Sequence, residues 1–528
     1  MRNFRTLLVA LAVTSPLPTT IAFAQGTPAA APAPAPTSSP VELTTLKLML
    51  AKGLISQAEY DSAMRDLADS AGMRASDQTT VVAGKWSTTF YGFIEADHIY
   101  DSTQSFSDFP GNGQVQRPNP APLPANPAAP TRYAGEHGRM MFGLRNSRFG
   151  FRMKAPEVGG IRTSAQFEMD LLGNAAGNGQ PGAAGAVSEG SFFNNPAVRL
   201  RHANLKIETP ILDVLIGQYW HLFGWQSVYH PNTVEIQGVP GEIYGRTPQI
   251  RLSKTLKLGD LQFEIAGALL RPPQRDSEVP DLQGGVRIAH NGWTGMTTAG
   301  STGTSIMPLS LAVTGDWRRF SVAEFSPTPT HTTDKTTTAV AIDAFIPVLP
   351  ATKDKKGNSL SLNGEFVTGY GIADLYSGFQ SGLTNPTIPN GFAGVANPTY
   401  TPNVDGNLVV YGPDGTLHGI QWTSYLIGIQ YYFPGSDGKY WISANYSHTQ
   451  SANAKNFTRN NVAAVPTDFN LTYAGLVRDS EDWWDVNLFG DVAPGVRLGL
   501  EYANFNDKYA DTVHAINHRV QASGFFLF

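Results

Sequence analysis

The last ten residues, RVQASGFFLF, place Val520, Ala522, Gly524, Phe526 and Phe528 on one face of an extended chain and Arg519, Gln521, Ser523 and Phe525 on the other. Successive side chains of a strand point to opposite faces, so this pattern fits a strand with hydrocarbon on one side and a wet interior on the other. It fits the edge of a soluble sandwich equally well. Period two governs the chain from Trp86 onward. In IRTSAQFEMDL, Ile161, Thr163, Ala165, Phe167, Met169 and Leu171 share one face, while Arg162, Ser164, Gln166, Glu168 and Asp170 share the other. Charges so placed need water or each other.

The amino terminus reads as an export signal over residues 1–24, with Arg2 and Arg5 basic, Leu7 to Val13 apolar, and an Ala22-Phe23-Ala24 site cleaved before Gln25. The chain contains no apolar run of the roughly 18 residues a spanning helix needs, which excludes helical insertion but not a barrel. With no cysteine, it has neither disulfides nor thiolate chemistry. The net charge of −5, more acidic still without the two signal arginines, argues against nucleic-acid binding. A mean hydropathy of −0.19 is polar for a membrane protein, a contradiction that dissolves if half of every strand faces water.

Residues 25–40 form a Pro/Ala-rich linker of extended type. Residues 41–72 read as a helical segment: Leu43, Leu46 and Leu50 share a helical face and Gly53 stops the first helix. Ser56 and Glu59 make a capping box for a second helix, where Ile55 staples onto Tyr60 and Met64 and Leu67 continue the apolar side. Helices this short bury no core alone, so the segment is expected to be a small periplasmic oligomerisation element, or else a spacer or cell-wall contact.

Residues 85–528 alternate short and long connections. The short ones are PEVGG after Ala155, ETPILD from Glu208, KLGD from Lys257, GDW from Gly315, LPATKDKKGN from Leu349, PGSDG from Pro434 and VAPG from Val492. Eight longer segments lie between and around them, giving sixteen antiparallel strands with both ends on the short-turn side. The stretch LQGGVRIAH around Val286 is placed in the fourth long loop, and counts of fourteen or eighteen remain open. The expected fold is all-β: a 16-stranded antiparallel transmembrane β-barrel with a short N-terminal periplasmic helical segment. Trp86, Phe90, Tyr431, Tyr432, Phe433, Tyr440 and Trp441 are expected in aromatic girdles at the lipid interfaces.

The segments FYGFIEADHIYD, LRNSRFGFRMKAP, SAQFEMDLLG, RLRHANLKI and DVLIGQYWHLFGW resemble the DcaP-like family of trimeric outer-membrane porins. Gly217 to Trp220 and Ser147 to Phe151 are the most specific elements, and the motifs cover roughly the first third of the barrel. The resemblance implies a homotrimer, a helical segment in the periplasm, and passive uptake of small, often negatively charged solutes across a Gram-negative outer membrane. Gly53 departs from a long uninterrupted coiled coil.

In general porins the third loop folds into the lumen, and here that loop is YWHLFGWQSVYHPNTVEIQGVPGEIYGR. Its Glu235, Glu242 and Arg246, with Arg162, Glu168, Asp170, Arg199, Arg201 and Arg251 from neighbouring strands, are the candidate pore residues. Rings of arginine favour anions and rings of carboxylate favour cations in a narrow pore. Arg199 and Arg201 share a parity with Ala203, Leu205 and Ile207, which requires a bulge or a wrong assignment, and a similar slip falls between Arg145 and Arg148. Phe528 is the candidate assembly signal for the barrel insertion machinery.

No catalytic motif, metal-ligand spacing or cofactor site is found, and His202, His221 and His230 read as lumen or loop residues. The expected partners are outer-membrane lipid and lipopolysaccharide, the barrel assembly machinery and small hydrophilic solutes, without nucleic acid. Alternatives are a phosphate-selective-type porin, a barrel phospholipase, and a secreted soluble all-β binding or carbohydrate-active protein.

Overall fold

The computed structural model describes residues 48–52, 54–56, 60, 79–83, 85–107, 111–117, 132–173, 197–235, 238–274, 277–299, 303–325, 329–352, 355–384, 404–412, 415–459 and 472–528. The chain divides into two units, Met1–Gly72 and Met73–Phe528. In the first, the Lys52 N–H donates to the Leu48 carbonyl at 3.0 Å and the Tyr60 N–H to that of Ser56 at 3.0 Å, as helical turns require. The signal, the linker, Gly53, Glu59 and most of the segment 41–72 lie outside the described residues.

The second unit is built from strands that pair antiparallel with their chain neighbours: β1 (Trp86–Asp101), β2 in two segments (Arg139–Gly143 and Arg148–Lys154), β3 (Arg162–Gly173), β4 (Ala197–Glu208), β5 (Asp213–Trp220), β6 (Arg246–Leu258), β7 (Leu261–Leu270) and β8 (Asp281–Thr297). The wall continues through β9 (Ser305–Ala323), β10 (Thr332–Leu349), β11 (Ser359–Tyr370), β12 (Gln421–Tyr432), β13 (Tyr440–Gln450), β14 (Arg478–Ala493), β15 (Val496–Tyr509) and β16 (His514–Leu527). β16 pairs back onto β1, from Phe93 opposite Leu527 to Asp101 opposite Arg519, which closes a sixteen-stranded barrel. A further short strand, Thr79–Ala83, forms a hairpin with the start of β1. Closure pairs the sixteen wall strands on both sides, as strands that span hydrocarbon require.

Parity sorts the side chains as period two demands. Along β16, Arg519, Gln521, Ser523 and Phe525 are buried inside, whereas Val520 and Phe526 are exposed outside. The outward row continues round the wall with exposed Ile216, Ile250, Leu252, Ile265, Leu269, Leu311, Ile427, Leu488 and Leu500. A contiguous apolar exterior of this extent suits lipid and not water.

Two sequence expectations are corrected. LQGGVRIAH is not part of the fourth loop but lies in β8, and GDW is not a turn but lies within the 19-residue β9. The two errors cancel in the strand count. One error led to the other: Gly315 imitates a turn signal inside β9, and the extra turn left no place in the alternation for β8, whose Gly284 stands opposite Gly315. The expected girdle is also only partly correct. Trp86, Phe90 and Tyr440 are exposed outside, but Tyr432 and Trp441 point inward and stack at 5.5 Å, with Phe489 5.0 Å beyond.

The irregular parities of the basic strands are resolved by backbone geometry. β4 slips register where Glu168 faces His202 but Met169 faces Leu200, so a bulge at Arg201 turns Arg199, Arg201 and His202 all inward. β2 is interrupted at residues 144–147, where its register against β1 shifts between Gly143 and Arg148.

Candidate pore constriction

Loop L3, residues 221–245, leaves the wall at β5 and returns at β6. It opens on a 3-10 turn, Phe223–Trp225, in which Gly224 has φ 75° and a Cβ would lie 2.9 Å from the Glu365 carboxylate. The Leu222 and Phe223 N–H groups both donate to Gln283 Oε1 on β8 at 3.0 Å, and the Gly224 N–H to Thr314 Oγ1 on β9 at 3.0 Å.

The middle of L3 reaches β13–β15, about half the circumference away. Trp441 Nε1 donates to Asn232 Oδ1 at 2.7 Å, the Val234 N–H to Asn487 Oδ1 at 2.9 Å, and the Glu235 N–H to Glu501 Oε2 at 2.8 Å. On the way back the Ile243 N–H donates to Glu365 Oε1 at 2.8 Å. The loop therefore crosses the lumen, and wall side chains satisfy its backbone donors.

One wall of the narrowed lumen is basic. Arg199 holds Asp170 in a two-pronged contact at 3.0 and 2.6 Å. Arg201, fully buried, donates to Glu168 at 2.6 Å, to Asp170 at 3.1 Å and to the Tyr244 hydroxyl at 3.1 Å. Glu168 also accepts the Tyr91 hydroxyl at 2.9 Å, and Arg148 lies 3.7 Å from it. Arg246 packs over the rings of Trp220 and Tyr244 at 4.6 and 5.0 Å. Arg251 sits over Tyr219 at 5.6 Å and donates to Gln249 at 3.0 Å.

The far side is acidic. Glu95, Asp97, Asp485 and Glu501 are buried near the L3 tip, and Arg519 binds Asp101 at 2.9 and 2.8 Å while lying 3.6 Å from Glu235. Glu242 receives His230 at 2.7 Å and the Val239 N–H at 3.1 Å.

Beside L3 lies a cavity of about 600 Å³ lined by Arg148, Arg152, Glu168, Trp220, His230, Glu235, Glu242 and Tyr244. A larger one of about 1040 Å³ extends toward the short turns and is lined by Arg148, Arg152, Glu168, Lys356, Lys439 and Arg497. The two spaces share Arg148, Arg152 and Glu168, so a solute passing between them meets those side chains. Burial drives the His221 imidazole down to about 3, with Arg318, Arg251 and Arg246 adding to the effect, so this ring is neutral at physiological pH.

Eight of the nine candidate charges thus gather around L3. Arg162 does not: it is 65% exposed at the turn end of β3 and pairs with Glu208 at 3.5 Å, roughly 20 Å of strand from Glu168. Phe528 exchanges backbone hydrogen bonds with Gly92 at 3.0 and 3.1 Å on the closing seam. Sequence reasoning missed Arg148, Arg152 and Tyr244. A signal was available for the first two, since Arg148, Gly150 and Arg152 share one parity against Phe149, Phe151 and Met153.

No family model matches the sequence, and no curated protein matches it. Among solved structures, the outer membrane channel DcaP of Acinetobacter baumannii aligns over 85% of this chain and 99% of its own, with a TM-score of 0.54 and 16% identity. Looser alignments, both with TM-scores of 0.43 and 10% identity, are to the trimer form of OmpT from Vibrio cholerae and to an anion-selective porin from Comamonas acidovorans. Each covers 84% of this chain, and 99% and 100% of the respective neighbour. In fold, then, the chain is a sixteen-stranded barrel of the porin type, similar to the DcaP channel.

Proposed function

We propose that the protein is a trimeric outer-membrane porin that passes small hydrophilic solutes by diffusion and favours negatively charged organic molecules. The apolar exterior supports a place in lipid and speaks against a soluble secreted protein. The observation that carries the anion preference is Arg152. Its guanidinium lies over the Tyr91 ring at 4.2 Å, it lines both cavities, and no ion pair to it is found among the described residues. The carboxylates that line the cavity beside L3 are engaged: Glu168 by Arg201 and Tyr91, Glu242 by His230, with Glu235 near Arg519. A solute at this level meets a cation with charge to spare and acids that are already compensated.

The reversal potential in a KCl gradient across a planar bilayer tests this reading. Anion preference at neutral pH is expected, and a cation-selective channel overturns it. Competition by organic monoanions against inorganic phosphate then separates a general anion route from a phosphate-selective one.

A further inference from the structure

Tyr244 stands in the charged part of the site without belonging to the arginine and carboxylate sets. It closes L3 just before β6 and lines the cavity beside the loop. Its hydroxyl accepts Arg201 Nη2 at 3.1 Å, and its ring carries the Arg246 guanidinium at 5.0 Å. Trp220 packs edge-on at 4.9 Å and His230 at 5.8 Å, so the phenol is fixed in place by rings on two sides.

The charges facing it come from every neighbouring element. β2 supplies Arg148, β4 supplies Arg201, and β6 supplies Arg246. β3 supplies Glu168 and Asp170, both bound to Arg201, and L3 supplies His230 with its partner Glu242. The loop after β11 gives its Leu375 carbonyl to the Tyr244 N–H at 2.9 Å and carries Asp374, tied to Arg318 at 2.6 Å.

We infer that Tyr244 determines the charge selectivity of this pore as a function of pH, standing as a neutral phenol on the acid side and as a phenolate counter-charge to the arginine wall on the alkaline side. The inference rests on the anion preference proposed above. Burial alone would push the phenol up, but Arg201, Arg246, Arg148 and His230 outweigh it and bring Tyr244 down to about 7. Below that value the wall carries its full positive charge. Above it the phenolate cancels one unit directly beside the cavity, where pore water is scarce and screening weak.

The test is the anion-to-cation permeability ratio of the full-length channel between about pH 6 and about pH 8.5, a range that brackets this titration. The wild type is expected to lose about twofold of its anion preference across that range, the order expected of one partly screened charge. Tyr244→Phe, which keeps the ring and removes the ionisable oxygen, should hold its acid-side selectivity throughout. His230→Gln should retain the fall, which separates the phenol from the neighbouring imidazole. Ultraviolet difference absorbance should show one of the chain's 19 tyrosines ionising near neutrality in the wild type and none in Tyr244→Phe. An equal fall in Tyr244→Phe, its loss in His230→Gln, or no tyrosine ionising near neutrality overturns the inference. A channel that is cation-selective at both ends of the range overturns the anion preference instead, and the comparison of Tyr244→Phe with wild type still reports whether the phenol titrates.

Discussion

The barrel wall and loop L3 satisfy the same backbone requirement in opposite ways. In the wall, backbone N–H and C=O groups pair with the adjacent strand except at bulges and interruptions, and side chains sort by parity into lipid and lumen. In L3, donors at Leu222, Phe223, Gly224, Val234, Glu235 and Ile243 go to side chains of Gln283, Thr314, Asn487, Glu501 and Glu365. The wall is therefore held by a repeating local rule, and the loop by individual polar residues drawn from distant strands. Breaking either should leave a different signature.

The largest effect is expected at the seam. A Cβ on Gly92 would lie 2.2 Å from the Arg148 carbonyl oxygen and 3.0 Å from the Phe528 ring, where backbone and not flexible side chain must give way. Gly92→Val should abolish most assembled barrel, read as loss of heat-modifiable mobility on gels, because overpacking a closed ladder costs about 1–3 kcal/mol or more. Normal assembly would show that the seam tolerates displacement and is not the wall's critical contact.

Next is the undocking of L3. Replacing Asn487 and Glu501 together by alanine removes the acceptors of Val234, Glu235 and Thr233. Each orphaned buried donor costs about 1–3 kcal/mol, enough in sum to release the tip. Single-channel conductance should rise while heat-modifiable mobility persists. If both fall together, loop and wall are one cooperative unit and are not held independently.

The same contrast explains what the sequence discloses. Period two, the short turns and the bulge at Arg201 follow from local rules, so the closing strand, the strand count and the inward turn of Arg199 and Arg201 could be anticipated. Gly315 misled because a lipid-facing glycine inside a strand reads like a turn, and the false turn displaced β8 from the count. L3 hid its partners for another reason. Asn232 meets Trp441 across 209 residues of sequence and Glu235 meets Glu501 across 266, and no local pattern records such a pairing. Tyr244 was invisible because its chemistry depends on three arginines from three different strands.

Stability separates arginines that hold the wall from those that face the solute. Arg201 is fully buried on Glu168 and Asp170, so Arg201→Ala leaves two inward carboxylates short of compensation and should destabilise the barrel by about 3–5 kcal/mol. Chemical denaturation of the detergent-solubilised protein measures this. Wild-type stability would mean that Arg199 and Arg148 compensate both acids unaided.

Arg152 is the smallest perturbation and the sharpest. Its guanidinium has Tyr91 beneath it and no ion-pair partner among the described residues, so Arg152→Gln removes a charge from the cavity while disturbing little else. Stability should stay within about 0.5 kcal/mol of wild type, as for other changes outside packed networks. The reversal potential should nevertheless move toward cations, because Arg199 and Arg201 are bound to carboxylates and Arg246 is held over the Trp220 and Tyr244 rings, so the lost charge is not replaced. The reverse outcome, lost stability with unchanged selectivity, would make Arg152 a packing residue and shift the anion preference to Arg148, the other arginine that both cavities share.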